Sequence, residues 1–243
     1  MPASTIWRIF IWPVERRLKP ATPLAAVLLD LDGTLLDTGP DMARIVNLLR
    51  AAQQLAPLPY SDLRQYVSHG SAALLRAAFP GADGVRLAAL QGRFLELYRE
   101  HLVVETRLFP GFESVLAQLE AHGIPWGVIT NKPGWLTEPL LRQLALYQRA
   151  ACVLSGDSLP VCKPDPLPLL TAAQRIAVAP EQCLYLGDAL RDMQAARAAN
   201  MVALAARYGY IGAQENTAEW PVTAWIDSPW ELLDWVGLER GER

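Results

Sequence analysis

Val27-Leu28-Leu29-Asp30-Leu31-Asp32-Gly33-Thr34 is an unbroken apolar run that ends in two carboxylates spaced i, i+2, with Gly and Thr directly behind them. The run reads as a buried strand, and Gly33 marks the place where the chain turns. On an extended strand Asp30 and Asp32 point to opposite sides. Both serve one site only if the backbone turns straight after the first. Two acids delivered to the end of a buried strand make a poor core. They suit a divalent-cation site and an acid/base pair.

The chain around this stretch has 243 residues, 51% of them hydrophobic and 19% charged, with a formal net charge of -3. That balance describes a folded protein with a sizeable core, either one large domain or a core carrying a smaller insertion. It argues against nonspecific nucleic-acid binding, which needs a basic face. Cys152, Cys162 and Cys183 form no CxxC pair and lie apart from His69, His101 and His122, so neither a zinc site nor a disulfide framework is expected. Free thiols suit a reducing cytosol, and Cys183, inside an apolar run, reads as a small buried hydrophobe. Residues 6–12 are apolar and aromatic, and basic residues follow them. This is too short to span a bilayer and the reverse of a signal peptide, so residues 1–23 are expected to be an extension without a membrane span.

Beyond the first strand, residues 39–101 carry only helical periodicity. Pro40 suits a first turn, with Met42, Ile45, Val46 and Leu49 on one face; Ser61 reads as the cap of a second helix, and another starts near Val85. From residue 108 onward helices and strands alternate: strands at 125–129, 151–154, 183–186, 201–205 and 224–226 are separated by helices at 135–144, 167–176 and 189–199. The expected fold is therefore α/β, a Rossmann-like parallel sheet with helices on both faces and an all-helical insertion after the first strand. The boundaries are an extension at 1–23, a core of 24–38 and 106–243, and a helical cap at 39–105. Ligands of such sheets bind outside the carboxyl ends of the strands, where the first strand's acids lie.

Three more polar clusters fall at strand ends or in loops. Thr130-Asn131-Lys132-Pro133 offers a hydroxyl and an amide that can hold phosphate oxygens, or is an ordinary turn. Lys163 stands beside Pro164, ahead of Asp165-Pro166, and is less free than a surface lysine. Gly187-Asp188 closes an apolar run, with Asp192 one helical turn later as a further ligand or a helix-start acid.

In this order the four clusters resemble the haloacid dehalogenase superfamily of phosphohydrolases, over essentially residues 24–236. Asp30-Leu31-Asp32-Gly33-Thr34 resembles its first motif, Thr130 its second, Lys163 its third, and Gly187-Asp188 through Asp192 its fourth; the insertion looks like a C1-type cap. The resemblance implies that Asp30 takes the phosphoryl group as an aspartyl-phosphate and that Asp32 moves protons. It further implies Mg2+ on Asp30, Asp188 and the backbone carbonyl of Asp32, and Thr130, Asn131 and Lys163 on the phosphate. Asp192 is then a supporting acid, and His69 and Gly70, in Ser68-His69-Gly70-Ser71, are candidates where the cap meets substrate.

Nearest within the superfamily are the bacterial phosphoglycolate phosphatases, which Leu35-Leu36-Asp37-Thr38-Gly39-Pro40-Asp41 and Arg207-Tyr208-Gly209-Tyr210 resemble. Tyr208-Gly209-Tyr210-Ile211 with Glu215-Asn216 and Trp220 also looks like the N-acetylmuramic acid 6-phosphate phosphatases of cell-wall recycling. The expectation is a cytoplasmic, Mg2+-dependent phosphomonoesterase, monomer or homodimer, acting on a small phosphorylated metabolite. Its first candidate substrate is 2-phosphoglycolate and its second N-acetylmuramic acid 6-phosphate. A sugar phosphomutase and a non-catalytic binding protein are less favoured. A dehalogenase needs no metal and would leave Asp32, Lys163 and Asp188 without a purpose.

Overall fold

A computed structural model describes residues 23–240 of the chain. The apolar stretch at 6–12 lies outside the described residues. Six strands form one parallel sheet: β1 (Ala26–Leu29), β4 (Trp126–Ile129), β5 (Cys152–Leu154), β6 (Cys183–Gly187), β7 (Val202–Ala206) and β8 (Ala224–Ile226), in the order β5-β4-β1-β6-β7-β8. A parallel sheet is covered on both faces, which is why these strands read as continuous apolar runs rather than alternating ones. In β1, Val27 and Leu29 join one hydrophobic cluster while Ala26 and Leu28 join another, so one strand feeds two cores. From β1 the chain builds outward through β4 and β5, then returns to add β6, β7 and β8 on the other side. Strand order reverses beside β1, and the carboxyl ends of β1 and β6 flank that point, the usual ligand position of an open α/β sheet.

The segment after β1 forms the helices α1 (Gly39–Ala52), α2 (Tyr60–Arg64), α3 (Gly70–Ala78) and α4 (Gly84–Glu100), which pack on one another. α1 begins with Pro40 in its first turn, as its sequence demands. Two details differ from the sequence reading. Pro59, not Ser61, stands at the N-cap position of α2, with no side-chain capping bond, and Ser61 lies inside the first turn with its hydroxyl 3.2 Å from Asp62 Oδ1. α3 had no separate signal because its run of Ala and Leu blurs the 3.6-residue period. The strands β2 (Leu36–Asp37) and β3 (Arg107–Leu108) pair antiparallel where the chain leaves and re-enters the sheet domain. Two residues each are too few to show an alternation.

Beside this ribbon, one buried carboxylate fastens the start of α1 to the returning chain. Asp41 Oδ2 accepts from the N–H groups of Val104, Glu105 and Thr106 at 3.1, 3.0 and 2.9 Å and from the Thr106 hydroxyl at 2.8 Å. Burial opposes the charge. The donors outweigh it and hold the Asp41 carboxyl below the ordinary carboxylate range.

α5 (Phe112–Ala121), α6 (Gly134–Gln143), α7 (Leu167–Arg175), α8 (Leu190–Ala198) and α9 (Glu231–Trp235) alternate with the later strands. All three cysteines are free, with Cys152 and Cys183 buried and Cys162 exposed. Among the described residues, no helix is long and apolar enough to cross a membrane.

Candidate active site

β1 ends at Leu29, one residue before the first acid, and the chain then turns tightly. The Leu31 carbonyl accepts from Leu35 N at 3.1 Å and Leu36 N at 2.9 Å, and Gly33 N donates to Leu36 O at 3.0 Å. Gly33 holds φ +84°, and a Cβ there would lie 2.1 Å from Asp188 Oδ2. Only glycine admits both the turn and the neighbouring acid. The turn meets the condition the sequence set for Asp30 and Asp32 to serve one site: both carboxylates border a single cavity.

Asp30 is buried, and Lys163 reaches it from the loop after β5, with Nζ 2.7 Å from Asp30 Oδ1. The same ammonium lies 2.8 Å from Asp192 Oδ1, 2.9 Å from the Ile129 carbonyl and 2.7 Å from the Tyr185 hydroxyl. Asp192, in the first turn of α8, also accepts from Ala189 N at 3.0 Å. It is thus both the helix-start acid and a partner of Lys163.

Asp188 follows β6. Its Oδ2 accepts from the Ser68 hydroxyl at 2.6 Å and from Tyr210 N at 2.8 Å, while its Oδ1 is buried with no donor. Asp30, Asp188 and Asp192 each offer an oxygen within 4.8 Å of the others. Burial raises the Asp30 carboxyl despite Lys163, with Asp192 adding to the rise. Burial, then Asp30 and Asp192, push Asp188 up to about 7. Three crowded carboxylates, one with an orphaned buried oxygen, form a hard-oxygen donor set, and the residues present fit a divalent cation.

These raised values set the sign of a pH effect. Between the unfolded value near 3.8 and the folded value of about 7, native Asp188 holds a proton that the unfolded chain has lost. Stability therefore falls as pH rises through that window. In chelator, Asp188→Asn is expected to be more stable than wild type by a few kcal/mol at pH 8, on the order of what such a shift is worth. The gain should vanish near pH 4. Urea titrations at the two pH values check it; a pH-independent difference, or destabilisation at pH 8, refutes it.

Asp32 faces other partners. Its Oδ1 accepts from the Thr38 hydroxyl at 2.6 Å, and Lys132 Nζ lies 2.9 and 3.2 Å from its two oxygens. Lys132 also donates to the Tyr98 hydroxyl of α4 at 3.0 Å, so a core lysine joins the acid to the helical insertion. Lys132 went unassigned in the sequence although it stands inside the quoted Thr130–Pro133 stretch; nothing local says which way it reaches.

The remaining predicted residues separate. Thr130 is buried at the cavity floor, with its hydroxyl accepting from Lys132 N at 3.1 Å. Asn131 has a structural task as well. Its amide donates to Lys163 O at 2.9 Å and accepts from Lys163 N at 3.1 Å, so it positions the lysine loop while also lining the cavity. His69 Nε2 lies 3.4 Å from Glu215 Oε1, and His69 and Gly70 line the cavity without bonding the acids. Arg191 is a further cation that the sequence did not single out. Its Nη2 donates to Ser68 O at 2.7 Å and its Nε is buried without a partner. The cavity measures about 430 Å³, with Met42, Val67, Phe94, Leu95 and Leu136 giving it an apolar wall.

Comparison with known proteins agrees with this geometry. The family model of haloacid dehalogenase-like hydrolases matches residues 24–200. A phosphoglycolate phosphatase of Xanthomonas campestris pv. campestris is 44% identical over 213 residues, covering 86% of this chain and 96% of its own. An N-acetylmuramic acid 6-phosphate phosphatase of Pseudomonas aeruginosa is 40% identical over 212 residues, covering 87% and 94%. The crystal structure of a predicted phosphoglycolate phosphatase from Haemophilus somnus 129PT superposes with a TM-score of 0.73 at 25% identity, over 84% of this chain and 95% of that one. Acids at the ends of β1 and β6, a lysine that pairs with Asp30 and with Asp192 of α8, and a match over most of the length lead to one conclusion: the chain belongs to the haloacid dehalogenase-like hydrolases.

Proposed function

We propose that this phosphatase hydrolyses a small phosphomonoester through an aspartyl-phosphate on Asp30, with Mg2+ as cofactor, in the cytoplasm. Residues 24–38 and 106–243 act as the core and residues 39–105 as a cap over the site. The observation that carries the reading is the single cavity bordered by Asp30, Asp32, Thr130 and Arg191, with Lys163 buried against Asp30.

Lys163 engages Asp30 Oδ1 and leaves the second carboxylate oxygen for attack. That oxygen forms a bond to phosphorus as the ester P–O bond breaks, and Asp32 gives the leaving alkoxide a proton. Water then attacks the same phosphorus, Asp32 takes its proton, and cleavage of the acyl-phosphate P–O bond frees orthophosphate and Asp30. Thr38 and Lys132 keep Asp32 in place for both transfers. Asp192 and Asn131 hold Lys163, one by its ammonium and the other by its main chain. Asp30, Asp188 and the Asp32 backbone carbonyl would hold Mg2+, whose charge offsets that of the phosphate.

Residue likeness ranks 2-phosphoglycolate first and N-acetylmuramic acid 6-phosphate second. The cavity favours the second. Its volume of about 430 Å³ is large for a two-carbon acid, and its mix of apolar residues such as Met42, Val67 and Phe94 with polar ones such as Ser71, Gln91 and Arg191 suits a larger alcohol that carries both methyl and polar groups. Steady-state kinetics on both esters and on hexose phosphates tests this. We expect kcat/KM for N-acetylmuramic acid 6-phosphate to exceed that for 2-phosphoglycolate by about tenfold or more, since even the smallest difference in pocket contacts, a single methylene group, is worth about that much. The reverse preference restores 2-phosphoglycolate, and a clear preference for a hexose phosphate refutes both.

A further inference from the structure

We propose that Ser68 is a positioning residue through which the cap sets the affinity of the acidic site for its divalent cation. This rests on the function proposed above and assigns a task to a residue outside its catalytic set.

Ser68 belongs to the loop between α2 and α3, yet its hydroxyl reaches 120 residues along the chain to Asp188 Oδ2 at 2.6 Å. Tyr210 N supplies the second donor to the same oxygen at 2.8 Å. Together they occupy Oδ2 and fix the carboxylate. Oδ1 is left as the buried oxygen without a donor, and it is the atom available to a cation. Ligand-orienting hydrogen bonds of this kind strengthen a metal site by limiting the conformations the ligand must give up on binding.

The serine is itself held from the core side. Arg191 Nη2 donates to its carbonyl at 2.7 Å. One turn earlier, Arg64 Nη2 donates to the carbonyls of Tyr208 and Gly209 at 2.8 and 2.6 Å, and its guanidinium lies over the Tyr210 ring at 5.0 Å. His69 adds its 3.4 Å contact to Glu215. The loop at 64–69 is therefore docked on the same 208–215 segment that supplies the other donor to Asp188. Moving the loop away removes one of two donors from the carboxylate and loosens the support of the second. Docked loop and cation reinforce each other, and the linkage is reciprocal: what the loop adds to cation affinity, the cation adds to docking.

The test is titration of Mg2+ into the full-length wild type, Ser68→Ala and Ser68→Thr without substrate, followed by calorimetry, with hydrogen exchange of the amides at 64–69 measured with and without Mg2+. Ser68→Ala is expected to weaken Mg2+ binding about tenfold or more, the usual cost of losing such a contact. Ser68→Thr, which keeps the hydroxyl, should stay within about threefold of wild type on the same scale. Mg2+ should protect the loop amides in wild type and not in Ser68→Ala. If Ser68→Ala binds Mg2+ as tightly as wild type, or if Ser68→Thr is as weak as Ser68→Ala, the inference falls while the function proposed above stands. If wild type binds no Mg2+ and releases phosphate equally in chelator, both fall.

Discussion

Asp30→Asn is expected to lower kcat for phosphate release by about 10⁴-fold or more, the scale of losing a nucleophile from a catalytic set that acts as a unit. The amide has the shape of the carboxylate and can keep an oxygen toward Lys163, but it has no oxygen able to form the acyl-phosphate. The fold should be retained for an electrostatic reason. Asp30 is buried within 4.8 Å of two other carboxylates, and burial already raises its carboxyl above the usual range. Neutralising it relieves repulsion and leaves Lys163 paired with Asp192. The melting temperature in chelator should therefore equal or exceed that of wild type, and any gain should grow with pH as Asp188 also ionises. Phosphate release and thermal denaturation on the same sample separate the cases. An intact fold with turnover within about tenfold of wild type removes Asp30 from the role of nucleophile.

The sheet was legible because parallel strands buried on both faces leave runs such as 27–29, 183–186 and 201–205 that no surface element needs. Asp30 and Asp188 stood out because each follows such a run, and Lys163 because prolines flank it, but their tasks came from the resemblance of the four clusters taken together. Lys132 did not stand out. Its stem can extend many ways from the turn after β4, and only the packed structure shows it reaching Asp32 and Tyr98. Asn131 shows a second task that the sequence did not announce. An amide beside a phosphate site invites a contact with phosphate, and here it also bonds the N–H and the carbonyl of Lys163. Ser68 and Arg191 were out of reach for a third reason: their partners lie across the boundary between insertion and core. Such pairings join residues far apart in the chain, and no local period encodes that.

Removing the cation should have the second large effect. Lys163→Met keeps roughly the length of the side chain and deletes the charge shared by Asp30 and Asp192 at 2.7 and 2.8 Å. It also strips a donor from the Ile129 carbonyl, which keeps the Tyr185 hydroxyl at 2.8 Å. A buried ion pair contributes little net stability, because desolvation offsets the attraction, but deleting one partner leaves the other uncompensated at a cost of about 3–5 kcal/mol. For a chain of this size that is a fall in melting temperature of roughly 6–20 °C. The sign with pH follows from Asp30: Lys163 lowers its carboxyl, so without the lysine it takes up a proton more readily, and the deficit should be largest near pH 8 and shrink towards pH 5. A divalent cation should recover part of it by standing among the same carboxylates. Turnover should fall by about 10²–10³-fold, the loss typical when a group stabilising transition-state charge is removed. Lys163→Arg should not rescue it, since a planar fork does not fit a slot in which one nitrogen serves two carboxylates, a carbonyl and a phenol. Urea denaturation and phosphate release at both pH values decide the matter. A Lys163→Met variant as stable as wild type at pH 8 would mean that the acidic cluster is already neutral there, and full turnover would mean that Lys163 has no part in the chemistry.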